Sequence, residues 1–317
     1  MTSGGDAPGM NACVRAIVRS AGSHRMLIEG IIRGYEGMIH GDFESMNSRT
    51  VANIIHRGGT ILKTARSQAF RTKEGRQQAY EQLKVNHIDA VVAIGGDGTF
   101  TGADIFSEEF GIPFIGIPGT IDNDLYGTDY TIGFDTAVNT AIEAVDKIRD
   151  TADSHDRLFF IEVMGRDSGY IALYTGIGVG AGTILLPETD TDYDELVNIL
   201  KAGVKRKKLF NLIIVAEGNK NGGAYKIAEE VQKRFDHYET KVTVIGHLQR
   251  GGSPTAADRL LASRLGYAAV DALVGGERNV MVGIINQEIV HTPLNEAITK
   301  EKKLRPELVK MSNVLAT

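Results

Sequence analysis

Six short apolar runs punctuate this chain, at 88–94, 112–117, 158–163, 210–216, 242–245 and 281–285. Several are apolar at consecutive positions, so both faces of the strand they form must be covered. Between them lie longer stretches at 10–22, 74–86, 133–150, 192–205, 224–236 and 256–274. In 133–150, Val138, Ala141, Ile142, Val145 and Ile148 keep helical spacing on one face. Short strands alternating with amphipathic helices predict a layered α/β fold with a mainly parallel sheet.

Glycine punctuates the same pattern. Of 37 glycines, pairs stand at Gly4-Gly5, Gly58-Gly59, Gly95-Gly96 and Gly251-Gly252, where tight turns leave strands for helices. At 317 residues the chain allows one large or two moderate domains, and no Pro/Ser-rich linker or internal repeat divides it. A net charge of −5, from 35 basic and 40 acidic residues, provides no global field for nucleic acid. A single cysteine, Cys13, excludes an internal disulfide and fits a reducing cytoplasm. No apolar run approaches the ~20 residues that span a bilayer, and the N-terminus lacks signal-peptide character. A cytoplasmic protein without membrane or nucleic-acid partners is therefore expected. Thr2-Ser3-Gly4-Gly5-Asp6 reads as a phosphate loop, yet begins at the second residue. Such loops follow strands, so a first strand is expected to be missing, or the start codon misassigned, leaving an unpaired slot and lower stability.

Two later loops carry the chemistry. Ile94-Gly95-Gly96-Asp97-Gly98-Thr99 follows a strand and precedes a helical stretch; backbone N–H groups there can cradle phosphate, and Asp97 suits Mg²⁺. Pro118-Gly119-Thr120-Ile121-Asp122-Asn123-Asp124 follows the next strand. In extended geometry Asp122 and Asp124 point the same way, so one could hold metal while the other accepts a hydroxyl proton. Alone, each could be a capped turn. Two at successive strand ends favour a ligand site. His247 and Arg250, after the run 242–245, could bind phosphate or sugar hydroxyls, and Arg157, Arg166 and Glu217 stand beside apolar runs. Each of these could equally be a solvated surface group.

Together these motifs resemble the bacterial type of ATP-dependent 6-phosphofructokinase. The resemblance covers nearly the whole chain, including Thr2 to Asn11, Arg57-Gly58-Gly59-Thr60, Ala65-Arg66, Ser154-His155-Asp156-Arg157, Val163-Met164-Gly165-Arg166 and His247 to Pro254. It implies two three-layer αβα domains with the active site in the cleft between them. The larger, ATP-binding domain would take 1–132 and about 250–298, the smaller, sugar-phosphate domain about 133–249 and 299–317. Asp122 would accept the proton of the fructose 6-phosphate 1-hydroxyl as it attacks the γ-phosphate of ATP. Asp97 would hold Mg²⁺ with help from Asp124. Gly5, Arg66, Ser67, Gly96, Asp97, Gly98 and Thr99 would line the ATP site, and Thr120 and Arg166 would steady the transferring group. Thr120, Ile121, Asp122, Met164, Gly165, Arg166, Glu217, His247, Leu248, Gln249 and Arg250 would contact the sugar phosphate. Arg157 and Lys241 would reach a neighbouring subunit's site, making the active unit an oligomer, usually a tetramer.

The resemblance also bears on the donor. Pyrophosphate-using relatives typically carry Asp where Gly98 stands and Lys where Gly119 stands, in space the α-phosphate of ATP needs, so ATP is expected. Lys241 replaces the usual Arg and loses its bidentate fork. Arg15, Arg19, Arg149, Arg206 and Lys208 match effector-phosphate positions, but Gly182, Asn53 and Ser48 depart from the regulated pattern, so effector control is expected to be weak or altered. Kinases of the NAD or lipid type share Gly-Gly-Asp-Gly-Thr but not the second loop. A non-catalytic sugar-phosphate sensor would lose one of Asp97, Asp122 or Asp124, and all three are present. A dinucleotide dehydrogenase needs a Gly-x-Gly-x-x-Gly after a strand, which is absent.

Overall fold

A computed structural model of the chain describes residues 1–152, 157–205 and 211–316. It forms two compact units. The first comprises Met1–Ile121, Leu125–Thr136 and Arg250–Lys302; the second comprises Asp122–Asp124, Ala137–Gln249 and Lys303–Thr317.

The first unit begins with helix α1 (Met10–Ser23), strand β1 (Glu29–Ile31), α2 (Gly34–His40) and β2 (Phe43–Ser45). Next come α3 (Lys73–Val85), β3 (Val91–Gly95), α4 (Asp97–Phe110) and β4 (Phe114–Pro118). Helix α5 (Phe134–Ala152) starts here and runs on into the second unit. The second unit holds β5 (Arg157–Val163), α6 (Tyr170–Gly178), β6 (Thr183–Leu185), α7 (Tyr193–Lys205), β7 (Asn211–Ala216), α8 (Ala224–Arg234) and β8 (Glu239–Val244). The chain returns to the first unit with α9 (Ala256–Val274), β9 (Val280–Ile285), β10 (Glu288–Pro293) and α10 (Leu294–Thr299). It ends with α11 (Pro306–Leu315) in the second.

The first sheet has the order β10-β9-β4-β3, with β3, β4 and β9 parallel and β10 antiparallel at one edge. Alternation along its strands sorts the side chains. Val91, Ala93, Phe114 and Met281 face a core with Phe100 and Phe106 of α4, Leu83 of α3, Met38 of α2 and Leu294 of α10. Tyr35 stacks on Phe70 at 3.9 Å in the same core. Burying each such side chain contributes roughly 1.5–3 kcal/mol. Ile94, Ile115 and Ile117 alternate with these and are also fully buried, and α9 packs on β4 and β9. Helices α1 and α9 approach closely because Gly266 has no side chain: a Cβ there would lie 2.8 Å from the Cβ of Ala16.

The second sheet, β6-β7-β5-β8, is parallel throughout. Leu158, Phe160, Ile213 and Val215 share a core with Leu196 and Leu200 of α7 and Ile227 and Val231 of α8. Six strands lie on the six apolar runs, β8 somewhat earlier than 242–245.

Met1–Ser3 run beside β3. Thr2 bridges Ile94 in parallel, the Met1 amine donates to the Val92 carbonyl at 2.8 Å, and Ile94 N donates to the Met1 carbonyl. Burial brings the Met1 ammonium down to about 5. An apolar cavity of about 520 Å³ adjoins it, lined among others by Val14, Val18, Leu27, Val91 and Leu273. Among the described residues, no helix is long and apolar enough to cross a membrane.

Candidate active site

The two glycine loops lie side by side because their strands do. β3 and β4 pair in parallel with Gly95 opposite Pro118, and Gly119 N donates to the Gly95 carbonyl at 2.9 Å. Chain leaving both strands therefore emerges at one sheet end, where open α/β sheets bind ligands. Asp97 opens α4 and is exposed at its N-terminus, where unpaired N–H groups and the helix dipole favour anions.

The glycines divide by what they face. A Cβ on Gly95 would lie 2.3 Å from Thr99 Oγ1 and 2.7 Å from the Ser3 carbonyl, so this glycine serves packing. A Cβ on Gly96 would be in ordinary contact with Thr120 at 3.6 Å, and one on Gly98 would meet nothing within 4 Å. Gly98 thus borders open space. Gly119 does not, since a Cβ there would stand 2.7 Å from the Ile94 side chain and 3.2 Å from Met10. Open space therefore explains Gly98, whereas a side chain at 119 must first displace the Ile94 or Met10 side chain. Thr99 Oγ1 is buried with no hydrogen-bond partner among the described residues, and the Tyr35 hydroxyl donates to the Thr99 carbonyl at 2.5 Å. Arg66 is exposed and Ser67 half-buried, its hydroxyl accepting from Phe70 N at 3.1 Å.

The 118–121 loop is pinned from behind. Ile132 N donates to the Pro118 carbonyl at 2.9 Å, and Thr131 Oγ1 to the Thr120 carbonyl at 2.5 Å. Asp258, 1% exposed, accepts from Gly133 N and Thr136 N, both at 2.8 Å, and from Thr136 Oγ1 at 2.5 Å. Burial pushes its carboxyl up to about 6, with those hydrogen bonds and the neighbouring Asp135 as smaller influences. Sequence reasoning missed Asp258. Its signal was Thr255-Ala256-Ala257-Asp258, an N-cap with an acid three residues on, and Thr255 does cap α9 by accepting from Asp258 N.

The next residues correct an expectation. Asn123 has φ 53°, so 122–124 is not extended and the alternation argument for its carboxylates fails. Asn tolerates this left-handed turn better than most residues. Asp122 is 2% exposed, Asn123 fully buried and Asp124 half-buried.

Within the second unit, Met164, Gly165 and Arg166 follow β5 and Glu217 follows β7, two strands paired in parallel. Gly165 and Arg166 have φ of 141° and 53°. Glu217 Oε1 stabilises that turn by accepting from Gly165 N at 3.1 Å and Arg166 N at 2.7 Å. A Cβ on Gly218 would lie 1.9 Å from the Arg166 carbonyl, so only glycine fits behind it. Arg166 Nε lies 3.9 Å from Asp122 Oδ2, and Ser168 Oγ, which the sequence did not single out, donates to the Asp122 carbonyl at 3.1 Å. Gln249 is buried, accepting from Met164 N at 2.8 Å and donating to the Ala137 carbonyl. Its side chain is therefore committed to the fold. His247 and Leu248 are exposed. In the first unit, Arg250 is half-buried and donates to the Asp6 carbonyl at 3.3 Å.

Arg157 and Lys241 are brought together, but elsewhere. Arg157 begins β5, about 20 Å of strand (~3.3 Å per residue) before Met164. Arg157 Nε and Lys241 Nζ both pair with Glu239, at 2.8 and 2.5 Å, and hydrogen bonds from Lys241 and Arg157 hold its carboxyl at about 2. Arg15 and Arg19 share a face of α1 in the first unit. Arg149, on α5 in the second, donates to the Val179 carbonyl. Gly182 N donates to the Leu212 carbonyl, and Asn53 and Ser48 are exposed. Arg206 and Lys208, and Ser154-His155-Asp156, lie outside the described residues.

Fold and site together define an α/β protein with glycine-and-aspartate loops at the carboxyl ends of parallel strands, an arrangement suited to phosphorylated ligands. Residues 1–273 match the family model described as phosphofructokinase. The chain is 56% identical over 315 residues to ATP-dependent 6-phosphofructokinase 1 of Thermus thermophilus, covering 99% of this chain and 98% of that one. It is 54% identical over 314 residues to ATP-dependent 6-phosphofructokinase of Cytophaga hutchinsonii, covering 99% and 96%. Among solved structures, phosphofructokinase from Saccharomyces cerevisiae superposes with TM-score 0.90 at 38% identity over 94% of this chain, which spans only 44% of that one. A pyrophosphate-dependent phosphofructokinase from Marinobacter aquaeolei shares the fold, with TM-score 0.84 at 24% identity over 96% of this chain and 84% of that one. The chain belongs to the phosphofructokinase family.

Proposed function

We propose that this protein phosphorylates fructose 6-phosphate at its 1-hydroxyl with Mg-ATP, giving fructose 1,6-bisphosphate and ADP. The observation that carries this reading is the pairing of the Asp97 and Thr120 loops at one sheet end, in a chain 54–56% identical to relatives named ATP-dependent 6-phosphofructokinase. In the first unit, Arg66, Ser67, Gly96, Asp97, Gly98 and Thr99 receive ATP. Thr120, Ile121 and Arg250 there receive the sugar phosphate. In the second unit Asp122 accepts the hydroxyl proton. Arg166, 63% exposed and close to Asp122, meets the charge of the transferring phosphoryl group. Met164, Gly165, His247 and Leu248 contact the sugar. Glu217 and Gln249 act first by shaping the backbone that presents Met164 to Arg166.

The residues fit Mg²⁺ held jointly with nucleotide. Asp97 is exposed at a helix N-terminus beside the open face of Gly98, and no group of three His, Cys, Asp or Glu able to hold a metal occurs among the described residues. Mg²⁺ commonly takes one or two carboxylates and completes its shell with phosphate oxygens and water. Asp97 is the carboxylate of the first unit that we assign to it; the ion would neutralise charge on the nucleotide phosphates.

We take the active form as a cytoplasmic homotetramer with shared sites. The position of Arg157 and Lys241, a strand's length from Met164 in their own chain, supports a role for them in a neighbour's site. Incubation with ATP, Mg²⁺ and fructose 6-phosphate should yield fructose 1,6-bisphosphate; no product at any substrate concentration would contradict the reading.

A further inference from the structure

The two glycines of the first loop face different partners. Gly4, at φ 84°, would present a Cβ 3.6 Å from Thr99 Oγ1, in the nucleotide loop. Gly5 instead lies against Arg250. A Cβ there would stand 2.7 Å from Nη1, 3.3 Å from Cζ and 3.7 Å from Nη2, while Nη1 donates to the carbonyl of the next residue, Asp6. The guanidinium is thus seated on the backbone of Gly5-Asp6, and the seat exists because Gly5 has no side chain.

We infer that Gly5 is a positioning residue for Arg250, so that the second glycine of this loop sets affinity for the sugar phosphate, while Gly4 belongs to the nucleotide side. The inference rests on the proposed role of Arg250 and departs from the resemblance, which gives Gly5 to ATP. A contact of 2.7 Å is shorter than real Cβ contacts allow, so a side chain at Gly5 must displace something. The atom it meets is the far end of a flexible side chain. Gly5 is not among the glycines with positive φ, so alanine suits its backbone. The fold should therefore tolerate alanine, and the guanidinium should move. A fork shifted by even an ångström loses the directional bonds that make arginine a phosphate binder.

The test is a double-mutant cycle on Gly5→Ala and Arg250→Ala, with KM for fructose 6-phosphate and for ATP measured separately and melting as a control. Gly5→Ala should raise KM for fructose 6-phosphate about tenfold, the order of one charge-assisted hydrogen bond, and leave KM for ATP within twofold. In the Arg250→Ala background it should add nothing. The inference is overturned if Gly5→Ala raises KM for ATP instead, if its effect persists without Arg250, or if the variant unfolds. If Arg250→Ala leaves KM for fructose 6-phosphate unchanged in an otherwise active enzyme, the role of Arg250 fails and the inference with it. If the unmutated protein makes no bisphosphate, the functional reading itself has failed and removes the basis of the inference.

Discussion

Arg166 Nε lies 3.9 Å from Asp122 Oδ2, and the two side chains differ in exposure, 63% against 3%. A sheltered carboxylate beside an open guanidinium suits divided labour: the first takes a proton from a bound hydroxyl, the second meets incoming phosphate. Asp122→Asn preserves shape and removes the base. Turnover should fall about 10³-fold with KM for both substrates changed less than threefold. Near-normal turnover would remove Asp122 from the role of base.

Glu217 tests whether its part is played through the backbone. Its Oε1 accepts two N–H groups from the Gly165-Arg166 turn, which the positive φ of Arg166 makes costly to hold. Glu217→Gln keeps that acceptor and should retain turnover within a few-fold. Glu217→Ala releases the turn and should lower kcat about tenfold. Equal, large rises in KM for fructose 6-phosphate in both variants would instead give the carboxylate a direct sugar contact.

Much of this was legible in the chain. The strands at 91–95, 114–118, 157–163 and 280–285 read as apolar runs because both their faces are covered. Three-residue strands β1, β2 and β6 carry too few residues to show a period, and α6 is apolar on most sides. Strand β10, Glu288–Pro293, has exposed and half-buried positions and so no apolar run. The loop 122–124 escapes the alternation rule, which assumes a strand, because Asn123 turns left-handed. Asp258 could not be assigned, since its partners lie 122 and 125 residues earlier in the chain.

Glu239 holds Arg157 and Lys241 on one exposed carboxylate. Exposed pairs bind weakly, so an arriving phosphate can displace it, yet it competes. Glu239→Gln should lower KM for fructose 6-phosphate a few-fold, more at low salt than at high salt. An unchanged or raised KM would argue that the two cations do not serve the sugar phosphate.

Asp258 makes stability depend on pH. Its carboxyl is raised from 3.8 to about 6, so the folded protein binds this proton more tightly than the unfolded chain. The contribution is complete below about pH 4 and is lost as pH rises through 6, about 3 kcal/mol in all. The stability gap between the unmutated protein and Asp258→Asn should therefore narrow from pH 4 to pH 7. A gap that widens would mean that the three donors at Asp258 outweigh its burial.

The central claim is the donor. Gly98 borders open space and Asp97 stands exposed beside it, the arrangement expected where a nucleotide, rather than pyrophosphate alone, is received. Fructose 1,6-bisphosphate formation should be measured from fructose 6-phosphate and Mg²⁺ with ATP or pyrophosphate as donor. With ATP, kcat/KM should exceed that with pyrophosphate by at least about 10³-fold, and Gly98→Asp should erode that ratio by raising KM for ATP. Equal or better turnover with pyrophosphate would contradict the account.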